Sequence, residues 1–308
     1  YRPPKLNFVM KNFYLIFCLV FMLPALNMSA QKPITIREDS LLVGKYMHPG
    51  ISTTIPEANY DKTLKNWIKQ MESGTKSKVV TENGMMTIFG AMLKKISPNP
   101  VNIYSKLINQ DTLNKLMVCI ELKKDEYLEP ALGDAQMMSA RDFLKEFAKD
   151  QYIDFIKDEV ATEEKKLKDL TAQLSSLENS YSKTQKKAGS NRSAVSKEQE
   201  NLAILKGQLS QITTDIAREN AAMISMETGP EKEAQAARIK EMDKSKKKLQ
   251  KDISKSENKI KKAESTIAQA DESIPLNKNE QFVMQQKIDE QTAVVKKFVD
   301  KLNTVKLY

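Results

Sequence analysis

"NLAILKGQLSQITTDI", residues 201 to 216, places Leu202, Leu205, Leu209, Ile212 and Ile216 at steps of three and four. That alternation is the 3.5-residue repeat of a coiled-coil seam, where one apolar stripe faces a partner helix. The repeat recurs on both sides. Leu167, Leu170, Leu174, Leu177 and Tyr181 come before it, and Val195, Met223 and Met226 extend it. Ile239, Met242, Leu249, Ile253, Ile260, Ile267 and Ile274 form a third series; Met284, Ile288, Val295, Phe298, Leu302 and Val305 form a fourth.

Between the series lie stop signals: Gly189 and Asn191 in "KKAGSNRS", Gly229 and Pro230 in "METGPEKE", and Pro275 in "ADESIPLNKNE". Glycine past a helix end with proline just beyond is the usual punctuation, and Pro230 also suits the first turn of a following helix. The sequence therefore predicts helices of roughly 35 to 45 residues, on the order of 50 to 70 Å long, folding back on one another as antiparallel neighbours. Residues 139–308 are read as this coiled-coil bundle or rod. Four seams joined by short loops favour closure within one chain; a homo-oligomer is the alternative pairing.

Residues 31–138 have a different texture and read as a small α+β domain. "ITIREDSLLVGKY" has strand character, and "MHPGISTTIP" is expected to turn at Pro49, Gly50 and Pro56 before an extended segment. "YDKTLKNWIKQM" sets Tyr60, Leu64, Trp67, Ile68 and Met71 on one helical face, stopped by Gly74. Asn83-Gly84 between two β-prone runs signals a hairpin. "VNIYSKLINQ" is read as helix and "KLMVCIEL" as strand. The fold class is thus an α+β N-terminal head followed by a long all-α antiparallel coiled-coil or helical-hairpin region.

"MKNFYLIFCLVFMLPALNMSAQ", residues 10 to 31, has the layout of a secretory signal peptide: Lys11, an apolar run from Phe13 to Leu23, then small Ser29 and Ala30. Residues 10–30 are expected to be removed, and residues 1–9 are read as upstream read-through. Cys18 follows Phe17 and so sits in no lipobox, which argues against a lipoprotein. Cys119 is then the only cysteine, and its apolar flanks predict a buried, inert thiol. The expected compartment is the periplasm or cell surface.

Eleven basic residues against four acids fall between Arg238 and Lys262. Since a seam runs through this stretch, most lysines must lie outside the core, with Lys246 at a seam position, where a polar residue can fix register. Lys246, Lys247, Lys248, Lys251 and Lys255 are candidates for contact with an anionic lipid or glycan surface. No aromatic residues interleave with them for bases to stack on, so no nucleic acid is expected. The formal net charge is +9, a mild bias toward acidic partners.

His48 is the only histidine, which removes His-based triads and multi-histidine zinc sites. No phosphate-binding glycine motif occurs. Glu38, Asp39, Glu121, Asp125 and Glu126 have no spacing that defines a catalytic carboxylate pair. No cofactor or metal and no enzymatic activity is expected. Met85, Met86, Met92, Met137 and Met138 read as adaptable core filler.

These features point to an exported structural or interaction protein of the cell envelope, its head docking a protein partner and its coiled coil acting as spacer or assembly scaffold. The basic balance, export signal and hairpin coiled coil also resemble the Skp/OmpH class of periplasmic chaperones. That resemblance implies a holdase for unfolded outer-membrane proteins. In that class strands from both chain ends build the body, whereas this chain closes on "VVKKFVDKLNTVKLY", read as helix.

Overall fold

The computed structural model describes residues 33–129 and 134–308. The expected read-through and signal segments, residues 1–30, lie outside the described residues. Two compact units are present: the described residues up to Glu159 together with Phe298–Tyr308, and Val160–Lys297.

The first unit is built on an antiparallel sheet. Its strands are β1 (Ile36–Val43), β2 (Tyr46–Pro56), β3 (Val80–Glu82), β4 (Met85–Ala91), β5 (Val101–Gln110), β6 (Leu113–Lys123) and β7 (Glu126–Tyr127), in the order β1-β2-β6-β5-β4-β3. β7 pairs with β6 at Glu121 and Lys123, beyond the stretch of β6 that β2 covers. Helix α1 (Tyr60–Met71) begins at Asn59, whose side chain accepts from the Lys62 N–H at 2.9 Å, an N-cap satisfying one of the free amides of the first turn. Trp67 and Met71 of α1 are buried against the sheet, and the Trp67 indole N–H donates to the Ser105 hydroxyl at 2.9 Å. Met137, Ala140, Leu144, Phe147 and Ala148, from the first turns of helix α2 (Asp134–Ile224), complete this core.

The Asn83-Gly84 turn has positive φ at both residues and joins Glu82 to Met85 directly across the hairpin, the geometry a two-residue turn of this kind requires. Two local expectations are corrected. "VNIYSKLINQ" is strand β5 rather than helix, because Val101, Ile103, Ser105 and Leu107 alternate into the core with period two. "MHPGISTTIP" is strand β2 rather than turn. Pro49 opposes Ser40 of β1 and precedes the β6 ladder, which starts at Ile51, so its missing N–H interrupts no bond on that side. Gly50 is needed there, since a Cβ would lie 2.6 Å from the Val118 carbonyl oxygen.

The second unit holds the rest of α2 and most of helix α3 (Pro230–Lys306). The expected helix ends at Gly189–Asn191 and at Pro275 are not helix ends: α2 and α3 run through them, with 91 and 77 residues, so the expected lengths of 35 to 45 residues are corrected as well. One interior glycine costs about 1 kcal/mol and one proline about 3 kcal/mol relative to alanine, less than the packing of long seams supplies on either side. Gly189 and Pro275 are exposed. Only residues 225–229 separate the helices, and Pro230 opens α3 with Glu231 and Glu233 in its first turn, where the helix dipole favours acids.

Candidate functional site

The hairpin unit holds the seam residues read from the sequence. Ile216, Ile239 and Ile253 are buried; Leu167, Leu170, Leu174, Leu177, Leu202, Leu205, Leu209, Ile212, Met242, Leu249, Ile260, Ile267, Ile288 and Val295 are half-buried. Phe298 and Leu302 are half-buried too, but belong to the sheet unit. Lys246 is half-buried at its seam position, while Lys247, Lys248, Lys251 and Lys255 are exposed.

Four polar rungs, which the apolar series did not reveal, cross this seam. Gln291 donates to the Glu163 carbonyl at 3.1 Å, Asn277 to the Leu177 carbonyl at 3.2 Å, Ser256 to the Glu198 carbonyl at 3.4 Å and Gln235 to the Glu219 carbonyl at 3.4 Å. Successive rungs are two, three and three heptads apart on α2 and the same intervals apart, in reverse, on α3. One antiparallel register therefore holds from Glu163 to Glu219.

An apolar seam alone could slide by a heptad. What opposes sliding here is specific to side chains: Gln291 also donates to the Glu163 carboxylate at 2.7 Å, and Gln235 to the Glu219 carboxylate. Lys259 meets Glu198 at 3.3 Å, Lys206 meets Glu257 at 3.1 Å, and Arg192 meets Asp271. A shift of seven residues would set Gln291 against Leu170 and leave these groups unmatched. The Glu163 carboxyl lies below its ordinary range, held there first by Lys166 and then by Gln291. A sequence clue to the rungs did exist: Gln235, Ser256, Asn277 and Gln291 fill gaps in the apolar series on the heptad phase.

The sheet unit offers a second candidate, on the sheet face opposite the core. Alternation that sends Ile103 and Ile120 inward sends Tyr104 and Asn102 outward, across from Cys119 and Glu121. Glu121 is buried and accepts from the Asn102 amide at 2.8 Å, the Tyr104 hydroxyl at 3.2 Å and the Asp125 N–H at 3.0 Å. Burial pushes its carboxyl upward, but the bonds from Asn102, Asp125 and Tyr104 outweigh it and the net position is below the usual value. Burial and the Glu121 charge push the Tyr104 phenol up to about 12.

Aromatic rings surround this carboxylate. His48 stacks on Tyr127 with centroids 3.9 Å apart, Tyr104 lies 6.5 Å from Tyr127, and Phe89 meets Tyr104 edge-on at 6.3 Å. Phe89 is 58% exposed. Sequence reading missed this strip because His48 and Tyr104 lay in segments read as turn and helix, which hid their common strand face.

The thiol and most of the carboxylates singled out in the sequence are engaged within the sheet unit. Cys119 is buried, its thiol donates to the Pro49 carbonyl at 3.0 Å, and burial pushes its pKa up to about 12, so it is not a thiolate at neutral pH. Asp39 pairs with Lys115 at 2.7 Å, Glu38 with Arg141, and Glu126 with Lys123 at 3.5 Å. Among the described residues no three His, Cys, Asp or Glu side chains gather in a way that could hold a metal ion, and no helix is long and apolar enough to cross a membrane. A groove of about 780 Å³ between α1 and the first turns of α2 carries mixed charges such as Lys69, Lys95, Glu146 and Asp154. No protein-family model and no curated protein matches the sequence.

Proposed function

We propose that this chain is an exported, non-enzymatic structural or interaction protein of the cell envelope, in which the sheet unit docks a protein partner and the helical hairpin serves as spacer or assembly scaffold. The observation that carries the reading is the single register held by polar rungs from Glu163 to Glu219. A seam fixed in this way resists sliding and opening, as a spacer must. At about 1.5 Å per residue, the part of α2 in the hairpin unit alone rises on the order of 100 Å.

Docking by the sheet unit is supported by its exposed large side chains. Tyr46 and Met47 at the β1–β2 turn are 72% and 59% exposed, and Phe89 joins the aromatic strip around Glu121. Amphipathic aromatic side chains of this kind are enriched in protein interfaces.

The test is site-specific photo-crosslinking in intact host cells, with the probe at Tyr46 or Phe89. One or a few discrete envelope adducts are expected. A broad smear of unfolded outer-membrane proteins, together with suppressed aggregation of such a client in vitro, would replace this reading with a Skp-like holdase. Recovery of the protein from the cytoplasm, with residues 10–30 retained, would remove the exported role.

A further inference from the structure

The back of α3 between Lys240 and Lys262 sorts its charges by face. Lys247, Lys248, Lys251, Lys255, Lys261 and Lys262 are all exposed, on the side away from the seam row Leu249, Ile253, Ser256 and Ile260. Lys240 and Lys244 extend the same stripe toward the hairpin turn. Lys244 pairs with Glu241 and Lys255 with Asp252 within the helix, whereas Lys247, Lys248, Lys251, Lys261 and Lys262 make no ion pair among the described residues. The α2 segment at the same level, residues 192–214, has three basic residues and two acids, so it does not neutralise the stripe. From Lys240 to Lys262 the stripe runs about 33 Å along one helix.

Three features narrow what such a stripe fits. It is one helix wide and bordered along one edge by Asp243, Glu257 and Glu264, which suits a linear polyanion better than a charged plane. It contains no apolar side chain to enter a bilayer and no aromatic to stack on a base. Exposed Ser254 and Asn258 sit among the lysines, giving neutral hydrogen-bonding groups beside the point charges, as a polymer bearing both hydroxyls and carboxylates requires.

We infer that the lysine stripe of α3 docks a linear acidic polysaccharide lying along the helix. The full chain is titrated calorimetrically with oligogalacturonate. Binding is expected at low salt, weakening at least about tenfold between about 50 and 200 mM salt as counterions compete. The combined Lys247→Gln, Lys248→Gln, Lys251→Gln and Lys255→Gln variant should lose at least about tenfold in affinity with an unchanged thermal midpoint, because none of these residues lies in the seam; the four corresponding Lys→Arg changes should retain binding. Equal binding by the Gln variant, or no binding by the parent at low salt, overturns the inference. So does binding to phosphatidylglycerol vesicles or duplex DNA without binding to the oligosaccharide, which would assign the stripe to those surfaces.

Discussion

In the sheet unit Trp67, Ile88, Ile103 and Leu116 have no exposed surface, whereas in the hairpin unit Leu202, Leu205, Leu209 and Ile212 stay half-buried. The two units hold their shapes by different means. A sheet packed against helices encloses side chains on all sides, so each core residue contributes most of its transfer free energy. Two helices side by side cover only one stripe of each other, so each layer contributes less and specificity rests on the polar rungs between layers. Stability in the first unit is thus concentrated in a few residues; in the second it is spread along the seam.

That contrast can be broken at several points. Trp67→Ala should cost about 3 to 5 kcal/mol in urea denaturation of the sheet unit, whereas Leu205→Ala should cost clearly less; equal losses would erase the distinction. Pro275→Ala, at an exposed helix-interior position, should raise the melting temperature, with a gain of up to about 3 kcal/mol. An unchanged midpoint would show that the helix has already adapted to the proline. Tyr152 is fully buried and its hydroxyl has no hydrogen-bond partner among the described residues. Tyr152→Phe should therefore stabilise the sheet unit by about 1 kcal/mol, measured by chemical denaturation.

The smallest effect concerns pH. Glu121 has a folded pKa below its unfolded one, so its contribution is fully present above the ordinary carboxylate value and is lost as pH falls through the depressed folded value. Glu121→Gln should flatten the acid limb of the stability curve while leaving its neutral-to-alkaline slope alone. A steeper acid limb in the variant would contradict the hydrogen-bonded geometry around this carboxylate.

How far the sequence could be read differs between the units for the same physical reasons. Helix α1 and the Asn83-Gly84 turn are dictated locally, by amphipathic spacing and by a turn that needs two positive φ values, and both are where the residues place them. β5 was misread because "VNIYSKLINQ" carries apolar residues that suit either period in a short window, and only pairing with β4 and β6 selects the strand. Pro49 looked like a breaker because its tolerance depends on which neighbour lies beside it. In the hairpin, Gly189 and Pro275 drew attention as local stops, yet the heptad phase from Tyr181 to Val195 and from Ile274 to Met284 continues unbroken through them. Phase over many turns outweighs a local cost of a few kcal/mol. The aromatic strip around Glu121 was illegible because its members come from β2, β4, β5, β6 and β7, which only the sheet order brings together.

Pulsed electron spin resonance reads directly whether α2 and α3 close on each other within one chain in one register. In a background of Cys18→Ser and Cys119→Ser, spin labels are placed through Lys206→Cys with Glu257→Cys, which meet across the seam, and through Lys206→Cys with Glu264→Cys, one heptad away. A short, narrow distance is expected for the first pair and a distance longer by up to about 10 Å for the second, both unchanged when labelled chains are diluted with unlabelled ones. A shorter distance for the second pair would rule out this register, and a signal that vanishes on dilution would show that the helices pair between chains.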